Sequence, residues 1–133
     1  MAISDVFLIK SAVTAIGKLV VKGAAEIAAK EGVYVITTRS GRYIGQSKNF
    51  LKRYIQHFFT KAGKFSGKIS ELEKILLHEM PGSTKIEREA YEQYLIDKEG
   101  LGNLLNDVNP MGGRRDLFNQ IIDGVIEKFD LPK

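Results

Sequence analysis

The fold class this sequence predicts is α/β (α+β), a short antiparallel hairpin set among amphipathic helices, and three observations predict it. Val33 to Thr38 is an apolar, β-branched run, and after a turn at Ser40-Gly41 the chain returns through Arg42, Tyr43 and Ile44, the pattern of a β-hairpin. On both sides of the hairpin, apolar residues recur at helical spacing. The length of 133 residues, 44% of them hydrophobic, suits one compact domain with its own core.

Taken in order, residues 3–30 are rich in Ala, Val, Ile and Leu, with Lys10, Lys18, Lys22 and Glu26 spaced through them. The uncharged runs are too short for a membrane span, and the lysines interrupt what a signal peptide would keep apolar. One or two helices packed on the following domain are expected, with Gly17 and Gly23 as candidate breaks. The alternative is a remnant of a linker to a larger delivery protein.

Gly45 closes the second strand. Ser47 or Asn49 can then cap a helix in which Leu51, Ile55 and Phe58 form an apolar stripe while Arg53 and His57 share another face. Lys61 to Ser70, with three lysines and two glycines, reads as an exposed loop. Ile69 to Met80 is ambiguous: Ile69, Leu72, Ile75 and Leu76 follow helical spacing, yet Ile75 to Met80 before Pro81-Gly82 also reads as a strand.

Ser83 or Thr84 can cap the next helix, with Glu87 placed to complete a capping box with Thr84. It runs to about Lys98, and Gly100 and Gly102 end it. Ile86, Ala90, Tyr91, Tyr94, Leu95 and Ile96 make its buried face. Glu87, Asp97 and Glu99 read as solvent-facing, whereas the spacing of Leu95 and Ile96 tilts Glu92 toward the core edge. After the joint Met111-Gly112-Gly113, a last amphipathic helix is expected from about Asp116 to Phe129.

The formal net charge of +4 conceals an asymmetry. Residues 1–65 hold eleven Lys/Arg against three Asp/Glu, while Gly32 to Ser70 holds eight Lys/Arg and no acidic residue, interleaved with Tyr34, Tyr43, Tyr54, Phe58 and Phe59. Such a segment favours a polyanion; the bland alternative is a solvated basic face. The chain has no cysteine and two histidines, which excludes disulfides and thiolate zinc sites. A metal would have to be held by oxygen ligands, which suits Mg²⁺, with Mn²⁺ as the alternative.

Gly32-Val33-Tyr34, Tyr43-Ile44-Gly45 and the helix carrying Lys52-Arg53 resemble the GIY-YIG nuclease family. Eight residues separate Tyr34 from Tyr43, and Arg53 lies ten after Tyr43. The resemblance implies a third antiparallel strand, at about Lys74–Met80 after a short helix, and so a three-stranded sheet flanked by helices. It divides the chain into a helical segment, residues 1–31, packed on a nuclease domain, residues 32–133, that includes the C-terminal helix. It also implies a metal-binding glutamate, placed at Glu92 with Glu89 as competitor; without the resemblance, Glu92 would read as a surface residue paired with Arg88. A supporting asparagine is placed at Asn106, with Asn109 as alternative. His57 matches a position where relatives carry tyrosine or histidine, and Gln46 departs from a lysine found in some of them.

Phosphodiester cleavage needs a water stripped of a proton and stabilised charge on the phosphate oxygens. Arg53 offers a forked, permanently charged donor. Tyr34 and Tyr43 can position water and phosphate, Tyr34 serving as general base or as the group that orients the water, and His57 can share the proton transfer. Glu92 would hold Mg²⁺ as Lewis acid. Arg39, Arg42, Lys48, Lys52, Lys61 and Lys64 are expected to contact nucleic acid.

The expected function is thus a Mg²⁺-dependent endonuclease on DNA with little sequence preference. A small bare nuclease of this design is similar to toxin domains of bacterial polymorphic toxins. That likeness implies delivery within a larger protein, action in the target-cell cytoplasm and a cognate immunity protein; outside that role a cytoplasmic location is expected. The alternatives are an RNase or structure-specific nuclease of the same fold, and a catalytically silent binding module.

Overall fold

Residues 30–133 are described by the structure, a computed structural model. The helices expected over residues 3–29 lie outside the described residues. β1 (Gly32–Thr38) and β2 (Gly41–Ser47) form the hairpin, paired from Gly32 opposite Ser47 to Thr38 opposite Gly41. The turn falls on Arg39-Ser40, one residue before the expected Ser40-Gly41. Thr38 accounts for the shift: its hydroxyl accepts from Ser40 N at 3.2 Å and donates to Gly41 O at 3.2 Å, closing the turn ahead of the glycine.

The ambiguous segment resolves as a 3-10 turn over Ile69–Glu71 and a strand, β3 (Leu72–Glu79). Pairing decides it: β3 lies antiparallel on the far side of β1, Gly32 opposite Glu79, and supplies the backbone partners β1 needs there. The sheet order is β2-β1-β3. Period-2 alternation along β1 then separates two cores. Tyr34 and Ile36 join Ile75 and Leu77 under α1 (Phe50–Phe59), against Phe50, Tyr54 and Phe58. Val33 and Val35 join Ile44 under α2 (Lys85–Glu99) and α3 (Arg115–Lys128), against Ala90, Tyr91, Ile96, Ile122 and Ile126.

Asn49 caps α1, its side chain accepting from Lys52 N at 3.0 Å. Thr84 and Glu87 form the expected capping box on α2, and Gly100 ends that helix with φ 87°, a conformation glycine adopts without penalty. The loop after α1 is anchored by Phe65, which is buried and stacks on Phe58 at 5.2 Å. Among the described residues no helix is long and apolar enough to cross a membrane.

Candidate active site

Gly45 lies beside Tyr34 across the β1–β2 ladder, and a Cβ at residue 45 would land on the Tyr34 hydroxyl and ring. The missing side chain is therefore what lets the tyrosine lie across β2. Tyr34 is 2% exposed. Its hydroxyl meets His57 Nε2 at 2.8 Å. Tyr43, half-buried on the same face, stands with its ring 6.4 Å from that of Tyr34 and 5.2 Å from that of His57. His57 arrives from α1, turned inward, while Arg53 one turn earlier stays exposed.

Glu92 comes from α2, which packs against β2, the edge strand. It is partly buried, and its charge acts on both Tyr34 and Tyr43, as does that of Arg53. Arg88 does not pair with Glu92 as helical spacing alone would allow; it donates to Gln46 and Ser83 instead. Glu89, the competitor, is held by Arg114 at 3.4 Å. Asn106 packs edge-on against β2, its Oδ1 accepting from Ile44 N at 2.9 Å and its Nδ2 donating to Ile44 O at 2.7 Å. It extends the sheet by one side chain beside Tyr43 and Gly45. Asn109 accepts from Gln93 instead.

The electrostatics assign proton positions. Burial pushes the Tyr34 hydroxyl well above the ordinary tyrosine range, with Tyr43 and Glu92 adding to the rise and Arg53 opposing it. Tyr43 is raised for the same leading reason. Burial, then the charges of Arg53 and Lys64, lower His57 to about 4. A protonated phenol facing a neutral imidazole fixes the direction: Tyr34 donates and Nε2 accepts. Tyr34 is thus no tyrosinate, and the unprotonated group beside it is His57. Burial raises Glu92 to about 8, with help from Glu89 and against Arg53.

The expected nucleic-acid contacts distribute unevenly. Lys48, Lys52 and Arg53 line one cleft of about 360 Å³. Lys64 sits 5.4 Å from the Tyr43 ring and pairs with Asp107 at 3.3 Å. Arg39 and Lys61 are exposed, at the hairpin turn and just past α1. Arg42 is tied up by Glu99. Sequence reasoning missed two residues. Gln93 is buried and holds Asp97, Asn109 and Met111 N, all at 2.9 Å; its place between Ala90 and Ile96 on the apolar stripe was the available signal. Arg88, buried against Gln46, sits between Glu87 and Glu89 in the sequence, where nothing marks it as inward.

Residues 30–106, more than half of the chain, match the family model described as GIY-YIG catalytic domain. The chain belongs to the GIY-YIG family. The match ends on Asn106, the residue that pairs with Ile44. GIY-YIG domains are nucleases, so this is an endonuclease whose substrate is a nucleic acid. Comparison with curated proteins and with solved structures found no match.

GIY-YIG nucleases generally use a divalent metal. Among the described residues no three His, Cys, Asp or Glu gather as a metal cluster. The donor chemistry still fits a hard cation held by one carboxylate together with water and substrate phosphate. Glu92 would be the carboxylate for it: burial and the neighbouring Glu89 hold it above the ordinary carboxylate range although Arg53 opposes them, and a bound cation would favour its charged form.

Proposed function

We propose that this GIY-YIG chain is a Mg²⁺-dependent endonuclease that hydrolyses DNA with little sequence preference, using Tyr34, Tyr43, Arg53, His57 and Glu92. The observation that carries the reading is the 2.8 Å contact between a protonated Tyr34 hydroxyl and a neutral His57, with Arg53 and Glu92 close enough to act on the tyrosines. A water seated at the Tyr34 hydroxyl attacks phosphorus. Its proton passes to Tyr34 Oη as the Tyr34 proton passes to His57 Nε2, so the tyrosine is never left as an anion. Tyr43 orients the same water or a phosphate oxygen through its hydroxyl. Arg53 donates to the non-bridging oxygens as their charge grows. Mg²⁺ held by Glu92 supplies Lewis-acid stabilisation of the leaving oxygen when bound.

Lys48 and Lys52 in the neighbouring cleft and Lys64 beside Tyr43 suit phosphate, which carries no sequence information. Asn106 serves as the prop that keeps β2 in place beneath the tyrosines. We further propose a biological setting, a toxin domain delivered within a larger protein, acting in the target-cell cytoplasm and blocked by a cognate immunity protein. The run of eight Lys/Arg and no acid from Gly32 to Ser70 supports it, since such a face suits an acidic inhibitor.

Supercoiled plasmid incubated with the purified chain tests the activity. Nicking is expected with Mg²⁺ and not with EDTA, and Arg53→Ala and Glu92→Ala should each lower the rate by about 10²-fold or more. Cleavage of RNA in place of plasmid would transfer the reading to an RNase, and inactivity on both would overturn it.

A further inference from the structure

Beside the catalytic group, one residue past Gly45 on β2, opens the cleft of about 360 Å³ whose charged lining is Lys48, Lys52, Arg53 and Arg88, with no carboxylate among its lining residues. Arg88 is the unusual member. It is 3% exposed, and burying a guanidinium is costly unless its donors are satisfied. Gln46 Oε1 accepts from Nε at 2.9 Å, while Ser83 O and Oγ accept from one terminal nitrogen at 2.8 and 3.1 Å. Glu31 stands 3.7 Å away as the counter-ion. These contacts fix the guanidinium against Gln46 at the cleft wall. Because arginine can only donate, it must face the amide oxygen of Gln46, which leaves the amide NH₂ as that residue's donor to a ligand.

We propose that this cleft is a second phosphate subsite, holding the phosphodiester next to the scissile one on the same strand, with Arg88 and Gln46 as its inner wall and Lys48 and Lys52 at its mouth. The inference rests on the nucleic-acid substrate read above. Arg53 belongs to both places: on α1 it lies in the cleft lining and one turn from His57. A strand running from the Tyr34 hydroxyl past Arg53 therefore brings its next phosphate among permanently charged and neutral donors. That second contact fixes the register of the strand, so a 1 Å slip of the scissile phosphorus is resisted from outside the chemistry.

The test separates binding from cleavage. A short fluorescent DNA duplex is titrated in EDTA with Glu92→Ala protein over a range of salt concentrations, then with the same protein carrying Gln46→Glu, Lys52→Ala or the distant, exposed Lys74→Ala. Gln46→Glu keeps the size of the side chain and places a carboxylate against Arg88, so the buried arginine itself need not be removed. The expected result is about tenfold weaker binding for Gln46→Glu and a salt slope reduced by about one for Lys52→Ala, with Lys74→Ala unchanged. In otherwise unsubstituted protein Gln46→Glu should raise KM for plasmid more than it lowers kcat. Affinity and salt slope unchanged by both cleft substitutions would overturn the subsite and leave the nuclease reading standing. Tight binding that depends on the cleft, without cleavage of either plasmid or RNA by the unsubstituted chain, would overturn the nuclease reading alone.

Discussion

Tyr34, Tyr43, Arg53, His57 and Glu92 were named in the sequence through the resemblance to the GIY-YIG family. Strand alternation and helical spacing account only for Tyr34 and Tyr43 sharing a sheet face and for Arg53 lying one turn before His57. Their protonation was not legible, since it depends on burial that only the folded packing sets. Glu92 makes the point testable. Its folded value is about 8 against an ordinary 4.5. Between those values the folded chain holds a proton that the unfolded chain has lost, so stability falls as pH rises through that window. Glu92→Gln keeps the shape without the charge. In EDTA it should raise the melting temperature by several degrees at pH 8 and hardly at pH 4, as followed by circular dichroism. An equal effect at both pH values would show that the carboxylate is ordinary.

At the scale of elements, local signals served best where the chain decides its own conformation. The Thr84–Glu87 box and the Gly100 terminus of α2 are local chemistry and stand as read. Residues 69–80 are different, because helical and strand periodicities both fit and only the partner edge of β1 chooses between them. Gln93 belongs to the same category: its role depends on residues 109–111 returning to α2, which no local pattern announces. Replacing it with leucine strands Met111 N and the Asn109 amide without a partner. Gln93→Leu should cost about 1–3 kcal/mol in urea unfolding. It should also slow cleavage modestly, through loosening of the segment that carries Asn106. A loss below a few tenths of a kcal/mol would mean that water replaces the amide at no penalty.

Over the whole molecule, residues 66–133 hold thirteen Asp/Glu against nine Lys/Arg, and several of these acids have a structural use. Glu87 pairs with Lys128, Asp97 with Arg115 and Glu89 with Arg114, so the acids of α2 tie down α3 and the turn before it. Of the cations between Gly32 and Ser70, Lys48, Lys52 and Arg53 line the cleft beside the site, while Arg42 and Lys64 turn to Glu99 and Asp107. The toxin setting belongs to this scale, since it concerns what the whole chain does to a cell. Expression in a bacterial host should arrest growth and fragment its DNA, Arg53→Ala should relieve both, and co-expression of the neighbouring gene's product should restore growth. Normal growth with soluble, plasmid-cleaving protein would contradict the toxin role and leave the endonuclease intact.

The central claim is that Tyr34 and His57 act as one proton relay in phosphodiester hydrolysis. Single-turnover cleavage of plasmid by the unsubstituted chain, Tyr34→Phe, His57→Gln and the double variant tests it most directly. Each single change should slow cleavage by about 10²-fold or more, and the double should be no slower than the worse of the two, because members of one relay fail together. Losses that multiply, or a His57→Gln protein as fast as the unsubstituted chain, would contradict the relay.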